Sequence, residues 1–354
     1  MKKEVSKELL NKYIKKDIEP IIRYVIIDVI NLLSKKGYNV IRYIKKVNST
    51  DFILYNGNKM TGKPIINVIN GKEKEIKINW NAFEGFHIPV IELNENNEPF
   101  LYKNICAINE TGTILKKDKC FKQKIIHEFL HLLSSSDKII KEDKYIYYSG
   151  MNKYEVEIEE NELKHITEGG GIELNEATTE LLANNLYKEL YDNEFFMPFI
   201  EKDGLYYPFI NEYYINTNLL RIMNLFATGI GGPEKLLFSY LNNDRKMYVD
   251  ILKDKLGLDE ENLLYLMYGF QKNMLLYFEK WDEGEKFFKK NILNVFETLV
   301  YNLNINIQNL EVNNSYKKVY VSYIKKYVSI ICDFPIFSSV KEDFMKFLET
   351  IEIK

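Results

Sequence analysis

A short apolar helix pattern that carries three ionisable side chains limits the possible folds of this chain more than any other segment. His127, Glu128 and His131 are surrounded on nearly every side by apolar residues: Ile125, Ile126, Phe129, Leu130, Leu132 and Leu133. A helix that is apolar all round is buried in the core of a protein. Burying two imidazoles and a carboxylate is costly unless a partner satisfies them. The sequence therefore predicts a buried helix whose polar groups share a bound partner.

The spacing of the two histidines suits a metal ion. His127 and His131 are four residues apart, so in a helix they share a face and can present two nitrogens to one ion. Zinc accepts such nitrogens at about 2.0–2.1 Å. The chain has only 4 histidines, and this stretch uses two of them, which favours a metal over packed core histidines. Glu128 can reach a metal-bound water without binding the metal, and the run Ser-Ser-Ser-Asp at 134–137 is predicted to end the helix.

A second helix pattern, at residues 174–182, supplies two carboxylates. Glu176 and Glu180 are also four residues apart and share a face. We predict Glu176 as the third metal ligand and Glu180 as the acceptor for the outer N–H of a ligating histidine. The alternative is a solvated acidic helix face. The apolar residues of the same stretch leave little room for it: Leu174, Ala177, Leu181 and Leu182.

Together, the stretches 127–131 (His-Glu-Phe-Leu-His) and 175–180 (Asn-Glu-Ala-Thr-Thr-Glu) resemble the paired signature of gluzincin metallopeptidases, the thermolysin-like clan. The resemblance covers residues 124–182. It implies that His127, His131 and Glu176 bind one zinc ion (Zn2+) per chain. It also implies that Glu128 is the general base and that Glu180 orients the first histidine. We therefore predict a zinc-dependent metallopeptidase that hydrolyses peptide or protein substrates through a zinc-bound water activated by Glu128.

Two departures from that family concern the region around the third ligand. The interval between His131 and Glu176 is wider than in thermolysin, and no histidine follows Glu176 to stabilise the tetrahedral intermediate. A tyrosine or an arginine would have to donate that hydrogen bond instead. Candidates at helical spacing on one face are Tyr214, Thr217 and Arg221, and candidates within the insertion are Tyr147, Tyr148, Tyr154 and His165. The choice among them stays open.

Two alternative functions remain: a catalytically inactive zincin-fold binding or interaction protein, and a zinc hydrolase acting on a non-peptide amide. Structural zinc sites usually close all four positions, commonly with cysteines. Of the three cysteines, only Cys120 lies near the histidines in sequence. A glutamate beside the first ligand also has no structural rationale, which favours catalysis. Nothing in the sequence separates peptide from non-peptide amides.

Composition and charge exclude several classes of protein. The 354 residues carry 48 basic and 51 acidic side chains, so we expect no nucleic-acid partner. Cys106, Cys120 and Cys332 are too far apart for a metal knuckle and suggest free thiols in a reducing compartment.

The most apolar early run, residues 21–33, is too short and too charged for a membrane span and makes a poor signal peptide. We expect a cytoplasmic protein, and export by a non-classical route stays open as an alternative. The Lys-, Ile- and Asn-rich composition suggests a bacterial source.

The periodicity along the chain predicts an α+β fold, with a zincin-like core of mixed sheet plus active-site helix and a mainly helical C-terminal region. We divide the chain into an N-terminal helical segment (1–48), the zincin-like region (49–190) and a helical C-terminal subdomain (191–354). Helical spacing covers residues 7–47, with Pro20 either in a first turn or at a kink. Helices are also predicted through 263–278, 287–303 and 339–351, the last started by Ser339.

Short β-type runs fill most of the region between the first helices and the histidines. Predicted strands cover residues 51–55, 64–69, 76–80 and 88–93, with hairpin turns at the Asn-Gly pairs 56–57 and 70–71. Residues 104–108 are predicted as an edge strand that could align an extended peptide. The alternating, Tyr-rich stretch 144–158 is predicted as a hairpin with its turn at Ser149 and Gly150.

Overall fold

The structure is a computed structural model of the chain, and its elements mix helices with small sheets. It describes residues 4–56, 59, 65–69, 72–76, 85–110, 118–159, 162–167, 171–191, 199–202, 205–208, 214–228, 232–279, 281–332 and 335–353. Contacts divide the chain into two compact units. The first comprises Met1–Ser149, Lys153–Ile166 and Ala183–Phe196, and the second comprises Gly150–Asn152, Thr167–Leu182 and Met197–Lys354.

The first unit begins with helices and continues with strands. Its helices are α1 (Lys7–Tyr13), α2 (Pro20–Lys35), α3 (Val40–Asn48) and α4 (Asp118–Ser134). Its first strands are β1 (Thr50–Tyr55), β2 (Ile65–Ile69), β3 (Lys72–Ile76), β4 (Gly85–Leu93) and β5 (Pro99–Asn109). Four more follow α4: β6 (Ile140–Lys141), β7 (Tyr145–Ser149), β8 (Asn152–Glu159) and β9 (Glu162–Thr167). The helical prediction for residues 7–47 is confirmed, including Pro20 in the first turn of α2.

The three-stranded sheet corrects one prediction. Its order is β1-β5-β4, with β1 parallel and β4 antiparallel to the central β5. The prediction that residues 104–108 form an edge strand is wrong, because they lie in β5 and have a neighbour on each side. The predicted hairpin turn at 56–57 stays a prediction, because residues 57, 58 and 60–64 lie outside the described part of the chain. In the described part of the chain β1 pairs only with β5, in parallel, and a parallel pair needs a crossover connection.

Two other strand predictions agree with the structure. β2 and β3 pair antiparallel on either side of the Asn-Gly pair 70–71, which itself lies outside the described residues. Of the predicted strand 76–80, only Ile76 is described, at the end of β3. The Tyr-rich stretch forms β7 and β8 in a four-stranded sheet of order β6-β7-β8-β9. Gly150 takes a left-handed φ of 59° between them, so the predicted hairpin is confirmed.

Helix α4 lies in the core of the first unit. It packs against β4 and β5 and also against α2. Its apolar side chains are almost completely buried: Ile125, Ile126, Phe129, Leu130, Leu132 and Leu133. Burying each such side chain contributes about 1.5–3 kcal/mol. A separate cluster of Ile91, Tyr147 and Val156 joins the four-stranded sheet to β4.

The second unit is mainly helical. It contains the hairpin β10 (Phe199–Lys202) and β11 (Leu205–Pro208) and the first part of α5 (Gly171–Tyr191), whose last part belongs to the first unit. Its other helices are α6 (Tyr214–Thr228), α7 (Gly232–Leu241), α8 (Arg245–Leu256), α9 (Glu260–Glu279), α10 (Trp281–Asn309), α11 (Asn314–Cys332), α12 (Pro335–Ser338) and α13 (Lys341–Glu349). Helix α6 packs against each of α7 to α11. Val340, not the predicted Ser339, occupies the N-cap position of the last helix, and its side chain makes no capping hydrogen bond.

Two properties predicted from composition can be compared with the described residues. Cys106 and Cys332 are buried and form no disulfide within the described part of the chain, and the side chain of Cys120 lies outside the described residues. No helix in the described part of the chain combines the length and the apolar character needed to cross a bilayer.

Candidate metal centre

The two histidines of α4 face each other one helical turn apart. Their Nε2 atoms are 3.1 Å apart, and the ring centroids are 4.9 Å apart with the planes at 69°. Two nitrogens bound tetrahedrally at the usual zinc distance are separated by about 3.3 Å. The pair His127 and His131 therefore already has the separation that one shared metal ion requires.

Glu176 of α5 completes a group of three potential ligands. One ligand atom from each of His127, His131 and Glu176 lies within 4.8 Å of the other two. Two imidazoles and one carboxylate are a donor set found in catalytic zinc sites, which keep a fourth position for water or substrate. The structure thus brings together the three residues predicted as ligands, and this group can hold a metal ion.

The general-base candidate, Glu128, lies on the side of α4 that faces the three-stranded sheet. It is only 6% exposed, and its side chain lies against the backbone of β4 at Gly85. Burial, and next the negative charge of Glu128, raise the pKa of the Cys106 thiol on β5 well above its usual value. Cys106 therefore remains protonated and uncharged beneath the glutamate.

His87 is a neighbour of this centre that the sequence analysis missed. It lies on β4 two residues after Gly85, so both residues face the same side of the strand, towards α4. Its Nε2 is 3.0 Å from Asn104 Oδ1 on β5. Burial, followed by the charge of His131, lowers the pKa of His87 to about 3. The ring is neutral at ordinary pH and donates its Nε2–H to Asn104. Alternation along β4 could have placed His87 on one face of a strand, but not the helix that this face meets.

The C-terminal end of α4 is fixed by hydrogen bonds and charge. Ser136 N donates to Tyr148 O at 2.7 Å, which joins the end of the helix to β7. Lys46 of α3 donates to Ser135 O and forms an ion pair with Asp137 at 3.0 Å. Burial lowers the pKa of Lys46 to about 8, and the charge of Asp137 opposes this shift. A cation at a helix C-terminus is stabilising, so these contacts hold the turn that carries His131.

The residue before the third ligand anchors α5. Asn175 is 3% exposed, and its Oδ1 accepts a hydrogen bond from Met151 N at 2.9 Å. One turn later, Thr179 Oγ1 lies 2.5 Å from the hydroxyl of Tyr240 on α7. Both contacts lie in the second unit, and their α5 residues, Asn175 and Thr179, are on either side of Glu176 in the sequence. They restrict the rotation and sliding of the helix turn that presents the carboxylate.

The remaining predicted residues fall into three groups. Glu180 is half-buried on α5, one turn after Glu176, and its role in orienting a histidine stays a prediction. Tyr147 is buried, Tyr148 and Tyr154 are half-buried, and the side chains of His165 and Tyr214 lie outside the described residues. On α6, Thr217 Oγ1 and Arg221 Nε are buried polar atoms without a hydrogen-bond partner in the described part of the chain.

Comparison of the chain with protein-family models, with curated proteins and with solved structures finds no match. The resemblance to gluzincins therefore depends on the residues of the two motifs. What the structure adds is the grouping of His127, His131 and Glu176 from two separate helices.

Proposed function

We propose that this chain is a zinc-dependent metallopeptidase of the gluzincin type. The observation that carries the proposal is the grouping of three ligand atoms within 4.8 Å, from residues His127, His131 and Glu176. The two motifs lie on separate helices, and unrelated helix faces have no reason to bring three ligand atoms together in this way. The donor set and the adjacent Glu128 both fit catalytic zinc better than a structural ion.

The chemistry follows from the roles of the residues around such an ion. Zinc held by these side chains would polarise the scissile carbonyl and acidify water. Glu128 accepts a proton as the water oxygen bonds to the carbonyl carbon. It then delivers that proton to the leaving nitrogen as the C–N bond breaks. The apolar neighbours of Glu128 on α4 limit the water that competes for this proton.

The substrate would be aligned by β4. Among the described strands, β4 is at an edge of the three-stranded sheet, and its residue Gly85 lies against Glu128. An extended peptide can add to such an edge through main-chain hydrogen bonds. This assignment replaces the predicted alignment by residues 104–108, which lie in the central strand.

We propose Arg221 as the hydrogen-bond donor for the tetrahedral intermediate, and the other candidates named from the sequence stay open. Its Nε is buried and has no hydrogen-bond partner among the described residues, and Thr217 one turn earlier has an unpartnered Oγ1. A buried donor without a partner costs about 1–3 kcal/mol, which a substrate oxygen would relieve. Donors of this kind contribute about 3–4 kcal/mol to acyl-transfer catalysis.

The test is a peptide-library digest with wild-type protein and the Glu128→Gln variant, both loaded with zinc. We expect the wild type to cleave peptides, and Glu128→Gln to retain zinc but lose at least about 100-fold in rate, because the amide cannot accept the proton. A wild type that holds zinc but cleaves no peptide would contradict the proposal. A screen of non-peptide amides would then separate the two alternatives, another amide hydrolase and an inactive binding protein.

A further inference from the structure

We propose that Gly85 is a positioning residue for the general base: the missing side chain at residue 85 leaves the space that the Glu128 carboxylate occupies. The two residues belong to different elements of the first unit, β4 and α4. This inference rests on the proposed function, because it concerns how the proposed base is held. It assigns a role to a residue outside both sequence motifs.

The space at Gly85 is defined by three distances. A Cβ atom added to Gly85 would lie 2.6 Å from Glu128 Cγ, 2.8 Å from Cδ and 2.7 Å from Oε1. Carbon atoms in favourable contact are about 3.5–4.0 Å apart. An alanine at residue 85 would therefore force the glutamate side chain to move by about 1 Å.

The backbone at residue 85 does not require glycine. Its φ is outside the left-handed region, unlike that of Gly37, Gly150 and Gly257. Glycine within a strand is less stable than alanine by about 0.5–1 kcal/mol. Close approach of another group is one of the reasons for a glycine in a strand, and here that group is the Glu128 side chain.

In the Gly85→Ala variant, we expect the Glu128 side chain to move and β4 to stay in place. β4 is tied to the central strand by paired residues, including Gly85 with Ile108 and Phe86 with Ala107. The backbone of Glu128 is equally fixed, because α4 is buried on both sides of it. The atoms that would clash are Cγ, Cδ and Oε1 of Glu128, which all belong to its side chain and not to a backbone. Alanine should therefore displace the carboxylate and leave the fold intact.

The experiment compares Gly85→Ala with a matched control, Gly269→Ala, at a position with no atom within 4 Å of the added Cβ. We expect Gly85→Ala to lower kcat about 100-fold, the usual consequence of a 1 Å misplacement, with KM changed less than about twofold. Zinc content and the unfolding temperature should match those of the wild type. The control should keep full activity. Equal activities of both variants would overturn the proposal.

A double-mutant cycle tests whether the loss of kcat in Gly85→Ala depends on Glu128. In the Glu128→Gln background the base is already absent, so adding Gly85→Ala should not lower the residual rate further. A loss of equal size in both backgrounds would show that residue 85 acts without Glu128 and would overturn the proposal.

Crystal structures of the zinc-loaded wild type and Gly85→Ala supply a readout that does not depend on activity. We expect the Glu128 carboxylate to shift by about 1 Å while β4 stays in place. An unmoved carboxylate would overturn the role of Gly85 even if the wild type is an active peptidase. An inactive wild type with the expected shift would instead reject the proposed function and retain the steric role.

Discussion

Burial fixes the individual side chains of the candidate centre. His131 and Glu128 are each less than one-tenth exposed, at 7% and 6%. Charges act more strongly in such surroundings than in water. His127 and Glu176 are half-buried beside the buried His131, and a divalent cation is a partner that all three side chains could share.

Arg221 is the residue whose assigned role most needs a direct test. Replacing it with lysine keeps the positive charge but removes Nε and the planar fork of donors. We expect Arg221→Lys to lower kcat about 100- to 1,000-fold, as loss of one oxyanion donor does, without loss of zinc. The measurement is steady-state kinetics on a peptide found in the digest.

The same substitution at Arg23 is the control for Arg221→Lys. Arg23 donates to the backbone carbonyls of Asn11, Ile14 and Lys15 at the end of α1. Arg23→Lys should lower the unfolding temperature and leave kcat unchanged. If both variants lose activity in proportion to stability, Arg221 has a structural role only.

The ligand residues could be predicted from the sequence because their spacing is local. Histidines four apart share a helix face whatever the rest of the fold is, and the same holds for Glu176 and Glu180. Gly85 and His87 could not be predicted in the same way. Their proximity to α4 depends on which strand packs against the helix, and that contact is not encoded by any short pattern.

Among the elements, helices and strands were predicted well and strand neighbours were not. The apolar runs identified β1, β2 and β4, because alternation and β-branched residues are local properties. The pairing of β1 with β5 depends instead on a contact between segments distant in sequence. For this reason residues 104–108 were predicted at an edge, although they occupy the centre of the sheet.

The turn between β7 and β8 supplies a test at the level of elements. Gly150 and Gly37 both have left-handed φ values, 59° and 84°. A Cβ at Gly150 would clash with Asn175 Oδ1 and would lie 2.7 Å from Cζ of Tyr240, whereas a Cβ at Gly37 meets nothing within 4 Å. We expect Gly37→Ala to cost about 1–2 kcal/mol of unfolding free energy and Gly150→Ala clearly more.

Denaturant unfolding gives the free energy of unfolding of both glycine variants. Zinc affinity should fall only for Gly150→Ala, because Asn175, which the new Cβ would contact, is next to Glu176 in the chain. Equal losses of unfolding free energy in the two variants would show that the turn at Gly150 is not in close contact with Asn175 of α5. The account of how α5 is anchored would then be wrong.

For the whole molecule, the α+β prediction from the sequence agrees with the helices and small sheets of the structure. Each of the two compact units has its own buried core, built from periodic apolar positions that could be recognised in advance. The division of α5 between the units was not predictable, because it depends on contacts made along the full length of the helix. The zincin-like core remains a proposal that depends on the metal centre.

Metal binding by the whole chain tests the central claim most directly. We expect the purified wild type to bind one zinc ion per chain, measured by elemental analysis and by titration of the metal-free protein. Glu176→Gln should weaken zinc affinity at least 10-fold, because a neutral amide replaces a carboxylate ligand. The control Glu173→Gln, the same change one turn earlier on α5, should bind zinc as the wild type does. Equal zinc affinity in all three proteins would contradict the account.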